Sequence, residues 1–528
     1  MRLRTHARRL ALAVALPIAL AVMPVLPFAS PAAHAADAQG AAGEVAIASP
    51  TALPTAQING VVWDQAIVGN TVYAVGEFSS ARPAGAAEGE SETPRSNAMA
   101  YDITTGALLD WAPTTNGVVY SIDASKDGST LYLGGNFTSV NGEDTYRLGA
   151  VTASDGKRVS LGISPNTEVR DVEVSPDGAT LYFTGAFTQV NNEARYRAAA
   201  VSLPTLALTN FAPRVGRGLG RSVTVSPDGT QVAIGGSFSE VDGASNPGMA
   251  ILGSDGVLKP TNINSVIHNS GTYAAIMSLK SDDQGLYGSA YSQEGTFEGM
   301  FRANWSTGDL DYMADCHGDT YDIHPAGGVV YIAGHPHDCS NIGGFGDTTP
   351  TTYYNALAYA NSATGTVQPN NASDYSDFSG QPATTALQTF RPNFIVGSYT
   401  GMNQATWTVE GNDKYVVYGG EFIGVNNKGQ QGLVRFAIDS KENPGQGQQD
   451  GNGDKDKDNN GGGDGKDKDN NGGDGKDKDN NGGDGKDKDN NGGDGKDKDN
   501  NGGDDWWNNN GDDDWWNNWG WNGNWGWR

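Results

Sequence analysis

The chain has 528 residues, more than one small domain needs and enough for one large repeat fold with additions. Glycine supplies 74 residues and charged residues only 18%, which argues against a coiled coil or a long helical bundle. A net charge of -27 speaks against duplex DNA or RNA as a partner, since phosphate binding needs surplus Lys and Arg, and two cysteines exclude a disulfide-dense scaffold.

Arg2, Arg4, Arg8 and Arg9 precede an apolar run from Leu10 to Phe28, and Ala33-His34-Ala35 supplies a small-x-small cleavage pattern. Residues 1–35 therefore read as a secretory signal peptide. Pro17, Pro24 and Pro27 interrupt the run, which favours cleavage over retention as an anchor. No later run is long and apolar enough to span a bilayer. The expectation is a secreted, extracellular protein, free or associated with the cell surface, where a disulfide persists. Residues 36–54 read as a linker.

A repeat follows. Gly134-Gly135-Asn136-Phe137-Thr138-Ser139-Val140-Asn141-Gly142 recurs as Thr184-Gly185-Ala186-Phe187 through Asn192, as Gly235-Gly236-Ser237-Phe238 through Gly243, and as Gly419-Gly420-Glu421-Phe422 through Asn427. Weaker copies lie at Phe78, Tyr291 and His335. Each strong copy follows a short apolar run such as Thr130-Leu131-Tyr132-Leu133, and three of those runs follow an Asp-Gly turn, at Asp127-Gly128, Asp177-Gly178 and Asp228-Gly229. Asp-Gly between alternating apolar residues is a hairpin signal. Units of about 50 residues with room for four short strands are the blades of a β-propeller. Seven units fit over residues 55–440, so the expected fold class is all-β, a seven-bladed β-propeller with a disordered low-complexity tail. The phenylalanines are read as packing between blades. The paired glycines are read as letting neighbouring blades approach near the axis.

These residues resemble the bacterial delta-60 repeat β-propellers over roughly 55–440. The copies around Tyr291 and His335 depart from the pattern. The resemblance implies a propeller and export, and it brings no agreed activity.

Four histidines fall in the stretch from Cys316 to Cys339. If this stretch is a hairpin turning at Gly327-Gly328, facing residues have numbers summing to 655, and Cys316 faces Cys339 within disulfide range. A disulfide is the preferred reading. The same register sets His317 opposite Asp338, with His335 and His337 nearby. Such ligands suit zinc or copper, but alternation turns His317 away from Cys316. The plainer reading is loop hydrogen bonding around the disulfide. Signatures of known catalytic machinery are otherwise missing: no Gly-x-Ser-x-Gly elbow, no His-Glu-x-x-His, no phosphate loop.

Composition changes near Pro444. Residues 441–504 carry the decapeptide Asn-Asn-Gly-Gly-Asp-Gly-Lys-Asp-Lys-Asp in repeats, too polar to bury a core and expected to be a disordered spacer. Asp467-Lys468-Asp469-Asn470-Asn471-Gly472 matches the start of a calcium loop, yet Lys478 takes the place of the closing Glu. No cofactor is expected beyond weak calcium association there. Residues 505–528 hold Trp506, Trp507, Trp515, Trp516, Trp519, Trp521, Trp525 and Trp527 without Leu, Ile or Val, a binding tail rather than a core.

The function expected is a monomeric, non-enzymatic binding or adhesion module, its Trp-rich tail contacting the cell envelope. The partners expected are cell-wall glycan or a surface protein. The alternative is an extracellular polysaccharide-acting enzyme. Apposed carboxylates across a cleft would favour the enzyme; a channel of Gly, Ser and apolar residues would favour the binding module.

Overall fold

The structure, a computed structural model, describes residues 43–293, 295–370 and 374–444. The segment read as a signal peptide, nearly all of the segment read as a spacer with its calcium-like loop, and the Trp-rich segment lie outside the described residues.

The repeat unit folds as the alternation demands. Val119–Ala124, Thr130–Gly135, Leu148–Thr152 and Arg158–Val159 form one antiparallel sheet. Its first turn is held by Asp127, whose carboxylate accepts from the Ser125 hydroxyl at 2.6 Å and the Ser129 amide at 3.0 Å, while Gly128 takes φ 69°. Asp177 and Asp228 repeat this arrangement. The Asn141-Gly142 pair, at φ 51° and 79°, joins Ser139–Val140 to Glu143–Asp144 as a two-residue hairpin that needs positive φ twice.

Among the described residues, the innermost strands run Val61–Val68, Val119–Ala124, Val169–Val174, Gly220–Val225, Ala274–Asp282, Thr320–Ala326 and Thr406–Gly411. Each contacts the next, and the last contacts the first, so the sheets stand in a closed ring. We number the sheets first to seventh in this order. The fold is a β-propeller. Its core lies between adjacent sheets: Tyr73, Val75 and Ala100 of the first pack with Leu131, Leu133 and Val151 of the second. Phe78, Phe137, Phe187, Phe238 and Phe422 are all buried, consistent with packing between blades. Each contributes roughly 1.5–3 kcal/mol.

The segment read as a linker is partly strand. Ala52–Leu53 pairs with Leu433–Ala437 on the outside of the seventh sheet, and Val45–Ile47 pairs with Ser440–Glu442. Early residues thus complete the sheet begun by late ones, which covers an edge that would otherwise be open.

The paired glycines do let neighbouring blades approach, through the first of each pair: a Cβ on Gly134, Gly235 or Gly419 would meet Val169, Ile276 or Val62 of the next sheet, whereas the second glycine acts within its own sheet. A Cβ on Gly76, Gly135, Gly185, Gly236, Gly334 or Gly420 would overlap a backbone carbonyl oxygen at the first residue of the same sheet's inner strand or the residue just before it. Opposite each of these glycines the ladder slips by one residue, a β-bulge. The fifth sheet makes the same slip opposite Ala290.

Candidate functional site

The sixth sheet opens with the hairpin Thr320–Ala326 and Val329–Gly334, and its register follows the expected sum of 655 from Asp322↔Ala333 to Ala326↔Val329. Tyr321 is bulged out, and the register resumes at His317↔Asp338. Cys316 and Cys339 form a disulfide with Cα atoms 4.2 Å apart, both fully buried. The chain then continues through Ser340–Ile342 and on to Ala356–Ala360. A further excursion adds Gly365–Thr366 and Pro382–Ala383 to the fifth sheet. That excursion brings Asp374 and Tyr375 to the disulfide region.

Here the structure forms a cavity of about 300 Å3, lined by residues that include Glu298, Asp319, His335, His337, Tyr353 and Tyr375. His335 and His337 therefore enter it together. His317 does not line it: its ring stacks flat on Tyr375, centroids 3.8 Å apart and 3° from parallel. Asp338 sits beside His317, with its carboxylate 3.9 Å from Nδ1. Each histidine has its own neighbouring carboxylate. His335 Nε2 is 3.8 Å from Asp319, and His337 Nδ1 is 3.8 Å from Asp347. Among the described residues no three His, Cys, Asp or Glu side chains converge as a metal site would require. Burial lowers His317 and His337 from the usual imidazole value, which disfavours their charged forms.

The floor is acidic. Glu298 is 7% exposed and accepts from the Gly318 amide at 2.8 Å. Burial, reinforced by the charge of Asp319, pushes its carboxyl well above the usual range. Asp319 accepts from the Ser292 amide at 3.1 Å and the Tyr321 hydroxyl at 3.4 Å. Burial raises it too, against the pull of His335. The Tyr321 hydroxyl also meets His335 Nδ1 at 3.1 Å, and Tyr375 meets His337 Nε2 at 3.2 Å. Tyrosine and imidazole rings form the walls around these two buried carboxyls. Sequence reasoning missed Glu298, Asp319, Tyr353, Asp374 and Tyr375. The available signal was the departure of the fifth and sixth units from the repeat, where their loops lengthen.

The axial channel carries charge rather than only Gly, Ser and apolar side chains. Asp64, Asp123, Asp171 and Asp322 accept backbone N–H groups of Ile122, Val174, Val223 and Val409 at 2.7–2.9 Å. Each of these bonds reaches the inner strand of the next sheet, so these carboxylates are committed to holding the ring together. Burial pushes Asp123 and Asp171 up to about 6. Lys280 Nζ lies 2.5 Å from Glu410 Oε1, and His324 Nδ1 lies 3.2 Å from Oε2. Burial works against the Glu410 charge, but Lys280 and His324 hold it down to about 2.

No family model and no curated protein matches the chain. Among solved structures it is similar to the β-propeller domain of Cps50 (Swd1) from Myceliophteria thermophila, at 10% identity and a TM-score of 0.42, covering 73% of this chain and 99% of that one. It is also similar to the computationally designed Ika8 protein, at 10% identity and a TM-score of 0.39, covering 74% and 99%.

Proposed function

We propose that this chain is a secreted glycan-binding propeller whose Trp-rich tail tethers it to the cell envelope. The observation that carries the reading is the cavity beside the disulfide. Tyrosine and imidazole rings stand around Glu298 and Asp319, and flat rings plus mixed donors and acceptors are what a sugar ring needs. The tail is proposed from sequence: its indole rings stack on sugar faces, and the spacer lets several weak contacts act together. The test is a glycan array probed with the full chain and with Tyr375→Ala. Binding to a defined glycan set, weakened about tenfold by the variant, supports the reading. Full binding by Tyr375→Ala, or none by either protein, overturns it.

A second reading, a polysaccharide-acting enzyme, is favoured by Glu298 beside Asp319 in the cavity, its carboxyl raised by burial, since a carboxyl that holds its proton more tightly can serve as a general acid. New reducing ends released by the full chain and abolished in Glu298→Gln would replace binding with hydrolysis.

A further inference from the structure

The glycine-backed bulges have a second effect. A bulge removes one residue from the ladder and re-aims its side chain. Among the described residues this happens once in each inner strand, at the same step. The bulged residues are therefore equivalent positions around the channel, and their identities are not uniform. Going around the ring, the sixth, seventh, first and second sheets present Tyr321, Trp407, Trp63 and Tyr120. The third and fourth present Arg170 and Arg221, and the fifth presents Met277.

Three of the aromatic residues touch one another across sheets. Trp63 and Trp407 have centroids 5.0 Å apart, and Trp407 and Tyr321 4.4 Å apart. The next contact changes chemistry: the Arg170 guanidinium lies 4.1 Å from the Tyr120 ring centroid. Arg170 is also paired with Glu168 at 2.5 Å. Burial pushes Arg221 down to about 10, with Tyr291 opposing and the Arg170 charge adding to the shift. Trp407 is 7% exposed and the Arg170 side chain 8%, while the other five residues are half-buried. Through the Tyr321 hydroxyl, bonded to His335, the aromatic arc adjoins the cavity.

We infer that this ring is a binding site for an acidic sugar of a polysaccharide, its pyranose face on the aromatic arc and its carboxylate on the Arg170–Arg221 side. A polarised ring fits such a ligand because an aromatic face takes C–H groups while a guanidinium forks onto a carboxylate. A neutral glycan would use only the aromatic half. The inference rests on the glycan-binding reading and adds the sugar class and the residues that select it.

The test is affinity electrophoresis of the full chain through gels containing polygalacturonate or a neutral β-glucan, with melting temperature as the check on folding. Polygalacturonate is expected to retard the protein and the β-glucan to do so at least tenfold less. Arg221→Gln should lower polygalacturonate affinity about tenfold and remove the preference. Trp63→Ala should weaken binding to both gels. Should Arg221→Gln fail to fold, Arg221→Lys keeps the charge without the fork and is expected to bind several-fold more weakly than wild type. Equal retardation by both gels, or a folded arginine variant with unchanged affinity, overturns the acidic-sugar inference and leaves glycan binding standing. No retardation by any polysaccharide overturns both.

Discussion

In six of the seven sheets a missing Cβ makes room for the inner strand to bulge; the fifth bulges opposite Ala290. At Gly420 a methyl group would run into the Ala405 carbonyl, which is backbone and has no rotamer to yield. Gly420→Ala is therefore expected to destabilise the propeller by about 2 kcal/mol or more, the cost of overpacking against a fixed neighbour. Gly429 has nothing within 4 Å of its would-be Cβ. Gly429→Ala should be neutral within about 0.5 kcal/mol. Thermal unfolding of the two variants checks this. Comparable loss in both would mean that general backbone entropy, and not the bulge, explains the motif glycine. The repeat advertised these glycines plainly. The approach of neighbouring blades at the first glycine was legible; the task of the second was not, because its clash depends on the partner strand, which one-dimensional spacing does not contain.

Inner strands are joined by carboxylates as well as by contact, and that makes their cohesion depend on pH. Asp171 accepts from Val223 of the next strand and titrates near 6 in the fold, against about 3.9 in an unfolded chain. Its raised value means the folded state holds the proton more tightly. The stabilisation is fully present below about pH 4 and is lost as pH rises through 6. Asp123, also near 6, acts in the same direction. Glu410 acts oppositely: its contribution is present above about 4.5 and disappears as pH falls through 2. Melting temperature should therefore fall from pH 4 to pH 7. Asp171→Asn, which keeps a carbonyl acceptor, should flatten that fall by at most about 3 kcal/mol. An unchanged pH profile in the variant would show that Asp171 is not the titrating tie.

At the scale of the whole ring, closure depends on residues that look like a leader into the fold. Ala52–Leu53 is too short and too ordinary to announce itself as a strand, and only its partner Leu433–Ala437 gives it a place. Deleting residues 43–54 should lower the melting temperature by several degrees and expose the seventh sheet's outer edge to pairing between chains. Calorimetry together with light scattering checks both effects; an unchanged transition would mean the ring closes without that strand. Strong repeat copies made the propeller legible, because the same turn and the same buried phenylalanine recur at a fixed period. The cavity was half legible. His335 and His337 stood out through rarity, whereas Glu298 and Asp319 are two among 62 acidic residues and acquire meaning only from burial. The axial ring was illegible because its seven residues share a position and not a type.

That last property bears on how such a protein can change over generations. A residue lifted out of the strand ladder owes nothing to cross-strand pairing, so replacing it leaves the sheet behind it intact. The ring is thus a short, editable alphabet of seven letters set in a repeated frame. Single substitutions there would change the ring's chemistry without rebuilding a blade.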